Sequence, residues 1–520
     1  MATVVSSIGL KGIEGYRVQV EVQLVPGEGV SIVGLPDTSV KESRERVMAA
    51  LYSYDCQIID QKVVIHLSPA EQKKNSPIFD LAMAIGVMNE AGEIKDKIPN
   101  DAAFLGVLSL DGSIKSVEGM LPAIIAARKE GFKILYLPRI LDVPFDSIDG
   151  IEFRFVETLQ EVIDSFSGQL SASFHAPISS NETVDSTPHT YDKDFKSILG
   201  HKQAKRALEI AAAGGHNVLM VGPPGCGKSL LAETFPSILP PLTQESRFEV
   251  MSIYQLAGLR NAYPSTAPYR SPHHSASAVS LIGGGTQPKP GEISLAHRGV
   301  LFLDEMAEFP KRTLDMLRQP METGVVTISR AASTVTYPAE FLLLGAMNPC
   351  PCGYFGSRSH YCTCTPKQIT AYHNRISGPI HDRMDIQLKL DTVSLENETS
   401  QGNETSEMIR ARVMKARDIQ FERYGQQLLN ANASNELLFE CAKLREDQEN
   451  MLRMWGSKYN WSTRVQLKIR RLARTIADLN GSEFITNEAI WEAVTMRRTQ
   501  NLHMPKEMVT SGKIGGRGRG

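Results

Sequence analysis

One stretch constrains this chain more than any other: Val221-Gly222-Pro223-Pro224-Gly225-Cys226-Gly227-Lys228-Ser229, a Gly-x-x-x-x-Gly-Lys-Ser pattern. It follows the apolar run Val218-Leu219-Met220-Val221 and passes into helix formers, Leu230-Leu231-Ala232-Glu233-Thr234-Phe235. A strand end, a glycine-rich turn and a helix start make a phosphate cradle. Glycines let backbone N–H groups turn inward around an anion, and the helix that follows points its positive end at the same charge. In such a cradle Gly222, Pro223, Pro224, Gly225, Cys226, Gly227, Lys228, Ser229 and Leu230 surround the nucleotide. Lys228 reaches the β- and γ-phosphates and the Ser229 hydroxyl ligates Mg²⁺, so ATP and Mg²⁺ are the expected cofactors.

The 520 residues leave room for about three or four domains. A formal net charge of −2 gives no global basic field, so any contact with nucleic acid has to come from local patches or from assembly into a ring. No apolar run approaches the ~18 residues that cross a membrane, and Met1-Ala2-Thr3-Val4-Val5-Ser6-Ser7 lacks the layout of an export signal. The expected setting is cytoplasmic, with no membrane partner. Seven cysteines, an odd number without an export signal, argue against a disulfide framework.

Residues 1–165 read as an α/β domain. Tyr16 to Leu24 alternates as a half-buried strand, Ser39 to Leu51 has helical spacing with a serine N-cap, and Lys62 to Leu67 is a strand. Two short strands flank Asp111-Gly112, a helix covers Leu121 to Lys129, and a strand covers Lys133 to Pro138. The stretch 166–193, rich in Ser, Thr and Pro, is expected to be a flexible linker. The core is assigned to 194–395, an all-helical lid to 396–500 and a flexible basic tail, which would add weak electrostatic binding to nucleic acid, to 501–520.

Within the core, Val300-Leu301-Phe302-Leu303-Asp304-Glu305 is a buried run that ends in two carboxylates, where a parallel strand meets a nucleotide crevice. Asp304 is expected to hold Mg²⁺ through its water shell and Glu305 to polarise the attacking water. Phe341 to Met347 is a second buried run, ending at Asn348, a polar side chain suited to the lytic water or the γ-phosphate. The Gly/Pro-dense segment from Tyr269 to Ile293 reads as a protruding mobile loop, and Gly324 to Tyr337 as a β-hairpin with Arg330 at its turn. Cys350-Pro351-Cys352 and Cys362-Thr363-Cys364 could close four thiolates around one Zn²⁺. Free thiols or a redox switch are the alternatives, and His360 and His373 are alternative ligands.

These motifs resemble known families. The segment Gly119 to Arg128 resembles the protease domain of the Lon family, with Ser76 near the serine position but Leu121 where the lysine base should stand. Without a base the hydroxyl is a poor nucleophile, so a non-proteolytic relative is expected. Asp194 to Ala213 with the phosphate loop resembles the entry segment of AAA+ ATPases, in which Asn348 corresponds to sensor 1. The segment Arg375 to Ile386 resembles the one that supplies an arginine finger to a neighbouring subunit, Arg383 first and Arg375 second. Arg464, at the start of a lid helix, suits the sensor-2 contact to the γ-phosphate. In the helix-2-insert group, which includes magnesium chelatase and the MCM helicases, two insertions reach into the ring pore; by that likeness Lys289 and Arg330 contact DNA phosphates, where the alternative is solvated loop charge.

The whole is therefore expected to be α/β: a Lon-like (ribosomal S5 domain 2-like) domain, an AAA+ core and an all-α lid. With Asn348-Pro349-Cys350-Pro351-Cys352-Gly353-Tyr354, this order is similar to the ComM/YifB family of magnesium chelatase-like AAA+ proteins. That resemblance implies a homo-hexameric ATP hydrolase acting as a branch-migration helicase on single-stranded or branched DNA, without sequence preference, in natural transformation and homologous recombination. The competing expectations are a chelatase-like or chaperone motor that remodels a protein partner, and a Lon-type protease whose base comes from elsewhere.

Overall fold

The computed structural model describes residues 3–497 apart from 55, 57, 59, 75, 95, 141–142, 167–192, 260–264, 286–287, 331–332, 358–359 and 393–403. The expected linker, save Phe166 and Lys193, lies outside the described residues, as do the tail and the expected boundary between core and lid.

The first region is built on strands Thr3–Lys11 and Glu14–Pro26, antiparallel from Thr3 opposite Val22 to Lys11 opposite Glu14. Val18, Val20 and Val22 are buried while Arg17, Gln19 and Gln23 face out, the period-2 pattern of a half-buried strand. Strands Gln61–Ser68 and Val30–Val33 complete this four-stranded sheet, and its buried face is covered by the helices Asp80–Glu90 and Met120–Lys129. A second, parallel sheet joins Ala102–Phe104, Ile134–Leu137 and Glu152–Phe155. The serine cap expected for the next helix is corrected: helix Thr38–Ser53 is capped by Asp37, whose Oδ1 accepts from the Val40 N–H at 3.0 Å. A carboxylate one residue outside the helix meets the first free N–H groups, whereas Ser39 already lies inside the first turn.

The second region holds a five-stranded parallel sheet in the order Tyr269–Arg270, Val300–Leu303, Leu342–Met347, Val218–Val221, Ile386–Lys389. Its three inner strands are buried at every residue, as helices on both faces require. Being parallel, all strands end at one edge, and there the chain leaves Val221 for the phosphate loop, Leu303 for Asp304 and Met347 for Asn348.

The mobile loop expected between Tyr269 and Ile293 is corrected. Tyr269–Arg270 is an edge strand of the main sheet, helix Ala278–Ile282 follows, and Gly283–Gly284 pairs antiparallel with Lys289–Pro290. Leu281 and Ile293 are buried. Its glycines permit close packing: a Cβ on Gly291 would lie 2.4 Å from the Gly283 nitrogen. The hairpin Val325–Arg330 with Ser333–Pro338 is present where the sequence places it.

Among the described residues five helices follow: Ser406–Tyr424, Asn435–Cys441, Glu446–Tyr459, Thr463–Leu479 and Asn487–Thr495. Val465, Ile469, Leu472, Ala473 and Ile476 form the apolar stripe of the fourth and share a core with helix Lys202–Gly214 beside the sheet. The first region also docks on the second. Helix Met120–Lys129 packs against helix Gln244–Leu256, whose Phe248 and Met251 enter the first region's core, and the Leu121 N–H donates to Gln255 Oε1 at 3.0 Å. No helix among the described residues is long and apolar enough to cross a membrane.

Candidate nucleotide site

Positive φ at Gly225 (+73°) and Gly227 (+87°) turns the phosphate loop through the left-handed region, and a Cβ on Gly222 would lie 2.7 Å from both Cys226 Sγ and the Leu390 carbonyl oxygen. Lys228 is buried and donates to the carbonyls of Gly222 and Pro223 at 2.7 and 2.9 Å and to Asn348 Oδ1 at 3.1 Å. Burial pushes its ammonium below the usual lysine range, and Cys226, Asp304 and Glu305 act against that. Ser229 Oγ donates to Asp304 Oδ2 at 2.9 Å, so a hydroxyl and a carboxylate converge as hard oxygen donors of the kind Mg²⁺ takes. Four residues assigned from three separate stretches of sequence thus meet at one sheet edge.

Glu305 follows with its N–H on Asp304 Oδ1 at 2.8 Å and a φ of +47°. A non-glycine residue held there costs about 1–3 kcal/mol, strain of the kind that gathers at functional sites. The residue that sequence reading missed is His274, whose Nδ1 lies 3.4 Å from Glu305 Oε2. Its ring is tilted against that of His273, with centroids 4.1 Å apart, and meets Phe309 edge to face. Its only signal in the sequence is a polar pair placed shortly after an edge strand.

The arginines divide between the two edges of the sheet. Arg375 lies on the phosphate-loop side, donating to Glu308 Oε2 at 2.6 Å and to the Ala307 carbonyl at 3.2 Å, just beyond Asp304 and Glu305. Arg383 lies at the other edge. There Asp385 accepts from the Asn217 N–H at 3.0 Å, before the first residue of the phosphate-loop strand, and from Lys468 Nζ at 2.6 Å. A cavity of about 350 Å³ opens at this edge, lined by Arg383, Arg464, Lys468, Arg471, Glu322 and Asp385 among others, and by no residue of the phosphate loop. The strand Val218–Val221 separates the two edges by about 13 Å. Arg464, expected to contact a γ-phosphate, lies at this far edge beside Arg383, where packing of its helix on Lys202–Gly214 carries it.

Arg383 is mostly buried, donates to the Pro379 carbonyl at 2.7 Å and forms an ion pair with Glu322. Glu322 belongs to helix Arg318–Thr323, which ends at Gly324 (φ +68°) and leads straight into the hairpin of Arg330. Arg330 is exposed at the end of its strand, and Gly284 of the other hairpin packs near its guanidinium. Lys289 pairs with Glu118 of the first region at 3.2 Å.

The four loop cysteines converge. Their sulfurs all lie within 4.8 Å of one another, with Cys350 to Cys352 at 3.3 Å, Cys350 to Cys362 at 3.7 Å and Cys352 to Cys362 at 3.5 Å. A tetrahedral ion with Zn–S bonds of about 2.3 Å sets its sulfurs about 3.8 Å apart, so the cluster is compatible with a zinc site. All four thiols are free of disulfides. His373 is not in the cluster; its Nε2 lies 3.0 Å from the Pro349 carbonyl, and His360 stacks on Tyr354.

A parallel sheet in this strand order, with a phosphate loop, an acidic pair and a polar side chain along one edge, defines the AAA+ class of P-loop proteins. Residues 194–398 match the family described as magnesium chelatase, subunit ChlI; residues 20–140 match subunit ChlI of Mg-chelatase, and residues 403–497 match the ChlI C-terminal family. The chain is 36% identical over 502 residues to YifB of Escherichia coli, covering 95% of this chain and 97% of that protein. It is 37% identical over 506 residues to the competence protein ComM of Haemophilus influenzae, covering 96% and 98%. It belongs to the ComM/YifB family. A 125-residue stretch is also 33% identical to Lon protease 2 of Bacillus subtilis, 24% of this chain and 22% of the protease.

Proposed function

We propose that this chain hydrolyses ATP as a subunit of a homo-hexameric ring that drives branched DNA through its pore, a branch-migration helicase serving recombination during natural transformation. The observation that carries the reading is the division of the sheet: Lys228, Ser229, Asp304 and Asn348 meet at one edge while Arg383 and Arg464 share a cavity at the other. Arginines that cannot reach their own phosphates are suited to a neighbour's, where they stabilise the charge spreading over the transferred phosphoryl group. A hexameric ring is the arrangement that supplies every site with such a neighbour.

In this reading Lys228 holds the β- and γ-phosphates, Ser229 and Asp304 hold Mg²⁺, Asn348 orients the γ-phosphate, and Glu305, steadied by His274, takes a proton from the attacking water. Mg²⁺, when bound, neutralises the phosphate charge. The Cys cluster takes Zn²⁺. Arg383 leaves Glu322 on engaging the neighbour, and Glu322 sits at the root of the hairpin whose Arg330 meets DNA phosphates, so hydrolysis and hairpin position are linked. Residues 1–165 form a non-proteolytic Lon-like domain, 194–395 a helix-2-insert AAA+ core and 396–500 the lid, in a cytoplasmic protein. Buried Leu121 at the lysine position and Ser76 capping the turn Pro77–Phe79 both favour the loss of proteolysis.

The Lys289–Glu118 pair favours a second reading, a motor that remodels a protein partner through the first region, since it already occupies one expected DNA contact. Migration of a synthetic Holliday junction separates the two. Wild type moves the junction with ATP and Lys228→Ala does not; a wild type that neither moves it nor gains ATPase activity with forked DNA at low salt would sink the DNA reading.

A further inference from the structure

We propose that the Cys350–Cys364 loop is a metal-dependent buttress of the phosphate loop, in which one zinc ion held by Cys350, Cys352, Cys362 and Cys364 fixes the backbone against which Pro224 and Lys228 rest. Nucleotide affinity then depends on zinc. The inference builds on the reading of Gly222 to Ser229 as the nucleotide cradle and gives a purpose to a cluster that the chemistry of hydrolysis leaves unused.

Both roots of the loop are anchored. At one end Cys350 follows Asn348 and Pro349 directly off the strand Leu342–Met347. At the other, Cys364 precedes Thr365, which caps helix Pro366–His373 in a reciprocal capping box, and that helix returns His373 Nε2 to within 3.0 Å of the Pro349 carbonyl. Between the roots the described residues form neither helix nor strand. A loop of this length without secondary structure needs some other tie to hold a shape. The thiols meet at one point inside it, and the Phe355 N–H donates to Cys350 Sγ at 3.3 Å, the kind of bond that supports a thiolate ligand from outside its coordination shell. The sulfur separations exceed an S–S bond of about 2.05 Å by more than 1 Å, so an ion rather than a disulfide suits the spacing.

The loop touches the phosphate cradle at two places. Gly353 has a φ of +85°, and a Cβ there would lie 2.7 Å from Pro224 Cδ, so its bare backbone is seated on the Pro224 ring. Its N–H donates to the Cys350 carbonyl at 3.0 Å, inside the turn that spans Cys350 and Cys352. Whatever fixes those two sulfurs therefore fixes Gly353 against Pro224. Asn348, at the root of the same loop, receives Lys228 Nζ at 3.1 Å. With the ion absent, four crowded thiols lose their common centre, and both supports of the cradle loosen together.

The test measures zinc content and the affinity for a fluorescent ATP analogue on the full chain, before and after removal of the metal by a chelator and again after zinc is restored. One zinc per chain is expected, with affinity weakened about tenfold or more on removal and recovered on return, the order typical for loss of the groups that support a site from behind. Cys362→Ser is expected to lose zinc and affinity together. Gly353→Ala, which keeps all four ligands, is expected to retain zinc yet bind the analogue more weakly, and it carries the test if the cysteine variant fails to fold. Lys228→Ala is expected to retain zinc while losing nucleotide, which separates the buttress from the cradle. Wild type purified under reducing conditions without zinc, or a zinc-free protein whose affinity stays within about twofold, overturns the buttress. Zinc-loaded wild type that binds no nucleotide overturns the cradle, and the buttress falls with it.

Discussion

Glu305 and His274 form a pair in which the carboxylate's backbone is strained and the imidazole lies 3.4 Å away. If Glu305 is the base for water attack, Glu305→Gln keeps the shape and the contact to His274 while removing the proton acceptor. Turnover is expected to fall about 10²- to 10⁴-fold while ATP affinity stays within a few-fold, giving a subunit that holds ATP without cleaving it. Rapid-quench turnover alongside nucleotide titration checks this; an equal loss of binding and turnover would move Glu305 out of the base position. Lys228, Asp304 and Asn348 were legible in the sequence because each is a polar residue set close beyond a short apolar run, so local pattern and strand direction together place them on one edge. His274 was not, because its partner lies thirty-one residues away in the chain and only the pairing of Tyr269–Arg270 with Val300–Leu303 brings them together.

Element boundaries follow the same division. Strands with clean period-2 or fully apolar patterns stand where the sequence puts them, whereas the Tyr269–Ile293 segment misled because glycine density reports either mobility or close backbone packing, and Gly283 against Gly291 is the second. The place of Arg464 at the far edge was not legible, because the register of its helix against Lys202–Gly214 is a tertiary matter. The joint between that helix and the sheet is Asp385, which binds the Asn217 N–H and Lys468 together. Burial opposes its charge, yet Lys468 and then His216 hold the carboxyl well below the usual aspartate range. A depressed carboxylate stabilises the fold above its unfolded value, near 3.8, and that contribution is lost as pH falls through the folded value. Asp385→Asn is expected to cost about 3–5 kcal/mol at pH 7, because it leaves Lys468 buried without its counter-charge. The gap between variant and wild type should narrow progressively below about pH 4. Denaturant unfolding at pH 7 and pH 3 reads both; a gap independent of pH would mean that Asp385 acts through shape rather than charge.

The hairpin is the element on which the DNA reading depends most. Arg330 stands exposed at the end of its strand, and a phosphate contact there is independent of sequence. Arg330→Ala is expected to weaken binding to single strands of any sequence and to lower the slope of log affinity against log salt by about 0.7–0.9, one phosphate's share. Anisotropy titrations over a salt series measure it. An unchanged slope would return Arg330 to ordinary solvated charge.

At the scale of the whole molecule, the first region touches both insertions: Glu118 holds Lys289, and Gly12, at the turn between the first two strands, packs on Val335 and Thr336 of the longer hairpin. A domain docked on both insertions is placed to sense or restrain their motion, a role that needs no peptidase chemistry. The same scale decides where the arginines work. Lys228 and Arg383 lie at opposite edges of one sheet, so in the proposed ring each complete site draws Lys228 from one subunit and Arg383 from the next. Lys228→Ala and Arg383→Ala are each expected to abolish turnover, the arginine by about 10³- to 10⁵-fold. Mixed in equal amounts and reassembled, the two variants should regain activity, because about a quarter of the subunit boundaries then pair an intact Lys228 with an intact Arg383. Within one chain no such pairing arises on mixing. Steady-state ATPase activity measured against the mixing ratio reads the answer: a maximum near equal parts supports a shared site, and a mixture no more active than its components would put Arg383 in the service of its own fold, through Glu322.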